Sequence, residues 1–391
     1  MFFECKFKND SNKKFITWED FLKYKNKIIE IECSIYVPST LPIYNWTKEA
    51  IDNGLEFKEI HDSIGNLINL RQLNCIFCEL SNLPESIGNL LNLEILNIES
   101  NQFKEIPESI GNLVNLKKLY CDFNQLTEIP EFITNLTNLE ELCCNSNKIT
   151  EIPDFIGNLI HLKKLHFTQN NVKLLPESIG NLKNLEFLSI SINQIEFLPQ
   201  SFGGLTNLKS FSLSSNQFTT LPECIGNFIH LQYFWCFNNQ LTELPESFGN
   251  LTNLDLLYCY NNKLTTFPES FGNLTKLNQL LCNSNQITYL PESFGGLIHL
   301  ERFECNKNNL SVLPESIGNL KNLVILDCCD NKLTILPESI GNLTNLQELA
   351  CCNNQLTTLP IQLIQCNKIR HLEYDGNPIE YLPIPLLRRF E

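Results

Sequence analysis

The chain has 391 residues, 43% of them hydrophobic, and a formal net charge of −15. That length suffices for two or three ordinary domains and an ample core, while the acidic balance argues against a nucleic-acid partner, whose phosphates need a basic surface. Seventeen cysteines would signal a disulfide scaffold in a short secreted chain, so their places in the pattern matter more than their number.

Residues Met1 to Lys14 are charged and polar with no apolar core, which predicts no cleaved leader, and no apolar run is long enough to span a bilayer. Thr17 to Lys25, TWEDFLKYK, reads as a short helix with Thr17 as N-cap and Asp20 three residues on; Ile29 to Ile35 alternates as a strand. From Pro38 a period begins to show, because Phe57-Lys58-Glu59-Ile60 repeats Phe103-Lys104-Glu105-Ile106 letter for letter. Residues 38–60 therefore read as a worn-down repeat and 1–37 as a cap over the open end of a core. The alternative for 1–37 is a separate partner-binding module.

Residues 61–382 hold fourteen consecutive units of 23, with proline recurring at Pro84, Pro107 and every 23 residues to Pro360 and Pro383. Each unit carries the frame Leu-x-x-Leu-x-apolar-x-x-Asn-x-Leu, as in Leu93, Leu96, Ile98, Asn101 and Phe103. Alternation at Leu96 and Ile98 makes a short strand with one face apolar, and a single unit cannot bury that face alone, so copies must stack into a parallel sheet. The Pro-Glu-Ser-Ile-Gly part returns the chain on the opposite wall. Its proline suits a first helical turn, and its glutamate suits the positive end of a helix.

This frame resembles the leucine-rich-repeat proteins. Within them, the Leu-Pro-Glu-Ser-Ile-Gly-Asn-Leu segment and the 23-residue length are similar to the intracellular Ras-group class, which includes the repeat parts of cell-polarity scaffolds such as Scribble and Erbin and plant intracellular Ras-group proteins. The resemblance implies an α/β solenoid shaped as a horseshoe, with a parallel sheet on its concave face and short helical or 3-10 turns on its convex face. It also implies a cytoplasmic protein in signalling, with a small GTPase or a signalling complex as partner.

The asparagines at Asn101, Asn124 and on to Asn354 and Asn377 fall at one phase. An amide both donates and accepts, so a stacked column of them can satisfy backbone groups left over where each coil turns; Cys78 stands there in the first copy and can only donate weakly. Nine cysteines, Cys75, Cys121, Cys144, Cys236, Cys259, Cys282, Cys305, Cys328 and Cys351, occupy the inward strand position and read as small core hydrophobes in a reducing compartment. Parallel side-by-side Cβ vectors make bridges between them awkward.

With the core fixed by the frame, functional information lies in the strand positions that point out. There Tyr233, Trp235, Phe237, Leu256, Tyr258, Tyr260 and Leu281 form one patch beside two serine-rich copies, followed by Arg302, Glu304 and Asp327. These ten are the candidate partner-binding residues, since exposed aromatic clusters anchor protein interfaces; the plainer reading is lateral stacking of rings along a sheet. Towards the end the same face turns acidic, with Glu348, Glu373 and Asp375, which suits steering of a basic partner; Cys329 and Cys352, at equivalent positions of adjacent copies, offer with His371 the alternative of a soft-metal or redox site. Pro383 to Glu391, PIPLLRRFE, reads as a cap that folds Leu386, Leu387 and Phe390 over the last leucines.

No inserted loop interrupts the copies and no phosphate loop appears, so a convergent catalytic pocket is not expected. The expectation is a non-enzymatic scaffold or adaptor that needs no cofactor and binds a protein, with a host-directed effector or decoy of the same architecture as the alternative and an enzyme third. Oligomeric state is not encoded in any pattern of the sequence.

Overall fold

The computed structural model describes residues 2–7, 12–15, 28–34, 60 and 62–390; the helix read at Thr17 to Lys25 and nearly all of the worn-down copy at 38–60 lie outside them. The chain forms two compact units, Met1–Leu185 and Glu186–Glu391. In the first, β1 (Phe2–Phe7) pairs antiparallel with β2 (Asn12–Phe15) and with β3 (Ile28–Ser34). Strand β3 then runs parallel to β4 (Gln72–Ile76), with Glu30 opposite Gln72. Four three-residue strands follow in parallel register: β5 (Ile95–Asn97), β6 (Lys118–Tyr120), β7 (Glu141–Cys143) and β8 (Lys164–His166).

The second unit is a parallel ladder of nine such strands. They are β9 (Phe187–Ser189), β10 (Ser210–Ser212), β11 (Tyr233–Trp235), β12 (Leu256–Tyr258), β13 (Gln279–Leu281), β14 (Arg302–Glu304), β15 (Ile325–Asp327), β16 (Glu348–Ala350) and β17 (His371–Glu373). Each pairs with the next at an offset of 23 residues, so the sequence period is the register. Helix α1 (Ile384–Phe390) ends the unit, with Leu386 buried and the Arg389 guanidinium donating to the Ile364 and Cys366 carbonyls. Among the described residues no helix is long and apolar enough to cross a membrane.

The wall opposite the sheet is built from five-residue 3-10 turns such as Glu85–Asn89. The proline is not inside the turn as the sequence suggested. It sits at the N-cap in extended conformation (Pro84 φ −68°, ψ 146°), and its carbonyl accepts from the Ile87 N–H at 2.9 Å. Proline at the N-cap fixes φ for the extended entry and has no N–H to strand there. The glutamate that follows reaches the next coil rather than its own: Glu223 accepts from the Ser247 N–H at 3.1 Å, and Glu292 from the Ser316 N–H at 3.2 Å. Glycine follows because adjacent turns nearly touch. A Cβ on Gly272 would lie 2.1 Å from the Ser293 carbonyl oxygen, closer than any real contact.

The asparagine column does what its chemistry predicts. The Asn262 Oδ1 accepts from the Leu241 N–H at 2.9 Å, and its Nδ2 donates to the carbonyls of Cys236 and Cys259, both at 3.0 Å. Two of those three partners belong to the preceding coil, so one buried amide binds two coils together. Asn124, Asn147, Asn285, Asn308, Asn331 and Asn354 repeat the arrangement.

Just before each asparagine the backbone enters the left-handed region, from Ser100 (φ 57°) through Ile192 (φ 53°) to Asn353 (φ 52°). The turn demands this conformation whatever residue stands there, and a β-branched side chain tolerates it worst. Inside, Leu and Ile columns are joined in the second unit by phenylalanines; Phe271 stacks between Phe248 and Phe294 at 6.2 Å on each side.

Two stability outcomes follow. Asn262→Ala strands the buried Leu241 N–H and leaves the Cys236 and Cys259 carbonyls one asparagine donor each, and is expected to cost about 1–3 kcal/mol in denaturant unfolding, against no more than about 0.5 kcal/mol for the exposed Lys263→Ala. Ile192→Asn, at a half-exposed site, is expected to stabilise by about 1 kcal/mol by relieving left-handed strain.

Candidate partner-binding face

Register places the sequence-selected residues in rows across the second unit. One row runs Tyr233, Leu256, Gln279, Arg302; the next runs Trp235, Tyr258, Leu281, Glu304, Asp327. Phe237 and Tyr260 lie two residues beyond Trp235 and Tyr258 and form a third row. Between these rows the inward residues Phe234, Cys236, Leu257 and Cys259 are fully buried, while the seven patch residues remain partly or well exposed. All ten candidates therefore share one open face.

The rings pair in two ways, one along the sheet as the plainer reading expects and one within a strand. Trp235 and Tyr258 are register neighbours, but Trp235 stacks on Tyr233 of its own strand (centroids 6.0 Å, planes 16° apart), and Phe237 stacks on Tyr260 across strands (4.5 Å, 8°). The Tyr258 hydroxyl donates to the Gln279 amide oxygen at 3.0 Å. Phe237 and Tyr260 thus meet at the 23-residue offset, whereas the Trp235 ring leans along its own strand onto Tyr233 instead of the directly opposite Tyr258.

On one flank, Ser212 is opposite Trp235, so the surface steps from hydroxyl to indole. Ser210 and Ser214 are buried there, and the hydroxyls of Ser191 and Ser212 share a hydrogen bond at 2.5 Å. On the other flank charge takes over. Arg302 donates to Glu304 through Nε at 2.7 Å, and Asp327 accepts from the Asn306 amide and from the Cys329 N–H. Cys329 and Cys352, left as thiols by the sequence reading, are joined by a disulfide, with Cα atoms 4.6 Å apart. Adjacent parallel strands bring equivalent Cα atoms within bridging distance. The nine inward cysteines are buried and free, as expected of core residues. Burial pushes the thiols of Cys236, Cys282, Cys305 and Cys328 well above the ordinary range, which makes them inert.

The corresponding face of the first unit is charged. Glu141 is buried between Lys118 and Lys164, 3.4 Å from each ammonium. Burial works to raise its pKa, but the two lysines outweigh it and hold the carboxyl below its usual range. Burial raises the carboxyls of Glu99 and Asp122 and lowers His166. At the strand entry, Arg71, Glu94, Lys117, Glu140 and Lys163 alternate in sign coil by coil, with Lys117–Glu94 at 2.7 Å and Lys163–Glu140 at 2.8 Å. The sequence reading passed over this column, although the same 23-residue phase displays it. Of the histidines on the outer turn, His299 donates from Nδ1 to the Thr275 carbonyl at 2.6 Å, as asparagines do at the equivalent Asn253 and Asn322. A depression of about 900 Å³ on the turn wall, lined by Gly88, Leu91, Val114 and Thr134 among others, gathers no titratable group.

The stacked Phe237–Tyr260 pair separates packing from binding. A double-mutant cycle with Phe237→Ala and Tyr260→Ala is expected to give a coupling of about 0.5–1.5 kcal/mol in thermal or denaturant unfolding.

The family described as "Leucine-rich repeat region" matches residues 55–156, 144–237, 223–303 and 280–378. Among solved structures, a leucine-rich-repeat protein of Leptospira interrogans is 36% identical over 85% of this chain and 84% of its own, with a TM-score of 0.78. An internalin of Listeria monocytogenes is 28% identical over 78% of this chain and 88% of its own, at 0.69. The ectodomain of a plant membrane receptor kinase of Arabidopsis thaliana, solved in complex with Casparian strip integrity factor 2, is 27% identical over 83% of this chain and 46% of its own, at 0.55. No curated protein sequence matches the chain.

Proposed function

This chain belongs to the leucine-rich-repeat family, and from that premise we propose that it is a non-enzymatic scaffold that grips a protein partner through the open face of its sheet. The observation that carries the reading is the patch on β11 to β13, where Tyr233, Trp235, Phe237, Leu256, Tyr258, Tyr260 and Leu281 stand out of a sheet whose intervening residues are packed away. Aromatic side chains offer large area at low entropic cost and supply most interface anchors. Arg302, Glu304 and Asp327 border the patch and favour a partner that brings positive charge, by steering its approach.

The family's repeats generally serve protein interaction, and no catalytic family is indicated. The 23-residue phase and the Leu-Pro-Glu-Ser-Ile-Gly-Asn-Leu segment support the finer assignment to the intracellular Ras-group class, and through it a role in signalling with a small GTPase or a signalling complex. Thirteen free cysteines among the described residues, against the single Cys329–Cys352 bridge, support a reducing compartment such as the cytoplasm.

Affinity capture with the full chain tests the reading. Trp235→Ala with Tyr258→Ala is expected to lose the protein that wild type retains, at a stability cost of about 1 kcal/mol or less in thermal unfolding. Retention of the same protein by the folded double variant overturns it.

A further inference from the structure

The disulfide lies beside a third metal-ligating group. Cys329 and Cys352 occupy equivalent positions past β15 and β16, and Glu373 closes β17, the next strand. The two sulfurs and a Glu373 carboxylate oxygen all lie within 4.8 Å of one another. The sequence suggested His371 as the third member; the structure brings Glu373 instead, because His371 lies two residues earlier on the strand.

We propose that, once the disulfide is reduced, Cys329, Cys352 and Glu373 form a binding site for a thiophilic divalent cation such as Zn²⁺, and that re-forming the disulfide closes it. Tetrahedral zinc takes sulfur at about 2.3 Å and carboxylate oxygen at about 2.0–2.2 Å, which puts its ligand atoms roughly 3.7 Å apart. Backbones 4.6 Å apart at Cα let two cysteine side chains reach one ion once the sulfurs part.

Two further features favour a cation there. The Cys352 N–H donates to the Cys329 sulfur at 3.1 Å, a bond that stabilises a thiolate as an outer-shell hydrogen bond does at metal sites. The Asp327 carboxylate accepts from the Cys329 N–H and so lies against the backbone of one ligand. The other mixed cluster, Glu141, Cys143 and His166, differs in this respect, since both Glu141 oxygens already face lysine ammonium groups.

The chemistry balances. An external dithiol gives two electrons and two protons to the Cys329–Cys352 bond, leaves two thiols, and is itself oxidised to a disulfide. Zn²⁺ then binds two thiolates and one carboxylate, the two thiol protons leave to solvent, and a fourth position stays open to water. A disulfide-forming oxidant such as diamide takes two electrons back and releases the metal.

The test is titration of the full chain with Zn²⁺ by calorimetry and with Co²⁺ by absorption, after reduction by a phosphine and, separately, after diamide treatment. Reduced wild type is expected to bind one equivalent and to show a thiolate-to-cobalt charge-transfer band. Affinity is expected to fall about 100-fold or more in Cys329→Ser and in diamide-treated wild type, and about 10-fold in Glu373→Gln. Should Cys329→Ser fail to fold, Cys352→Ser at its less buried position carries the same expectation. Equal affinity in reduced and oxidised protein, undiminished binding in a folded serine variant, or a cobalt complex without the charge-transfer band overturns the proposal.

Discussion

One side chain per coil holds this protein in register. A three-residue strand forms few ladder hydrogen bonds; backbone bonds between coils continue past it in irregular geometry, and three residues on the chain enters the left-handed region. The buried asparagine supplies what the short strand lacks. Its amide accepts from one N–H of the previous coil and donates to carbonyls of both, so a slip of one residue would break several bonds in a buried place. Glycine and serine do the same work by close approach on the turn wall, where the coils leave no room for a Cβ. Because the column fixes the offset at 23, residues 23 apart in sequence become neighbours in space. Every surface feature of the chain, apolar, charged or thiol, is read through that offset.

The offset also explains how an ordinary run of residues becomes a surface. Along the chain Tyr233, Trp235 and Phe237 are separated by the buried Phe234 and Cys236; across strands they meet Leu256, Tyr258 and Tyr260. The alternation that buries one set exposes the other. Large rings on the open side gain from stacking on one another, as Phe237 and Tyr260 do, yet they keep enough exposed area to meet a second surface. Packing and recognition are therefore not rival uses of these side chains. A ring held flat by its neighbour loses less freedom on binding.

Much of this was legible before any coordinates. The asparagine phase stood out because a polar residue kept its place in an apolar frame, and the inward cysteines declared themselves by sharing a phase with Ile, Leu and Phe. What sequence could not give was anything that depends on lean or on tertiary demand. Ser100, Phe123, Ile192 and Lys307 share a left-handed backbone but no chemistry, so the turn imposes it and no residue pattern announces it. Register sets Trp235 opposite Tyr258, whereas its ring stacks on Tyr233 of its own strand. Glu373 rather than His371 stands with Cys329 and Cys352, because His371 lies two residues earlier on the strand. Proline at the N-cap instead of inside the turn was a smaller miss of one position, decided by backbone conformation.

The most direct test of the asparagine column is native-state hydrogen exchange. The backbone amides of Phe218, Leu241, Leu264, Ile287, Leu310 and Leu333, which leave the strand and donate to an asparagine side chain of the following coil, lie in irregular backbone. If those bonds lock the register, these six amides exchange as slowly as the strand amides beside them. Exchange at the rate of surface-loop amides would contradict the account.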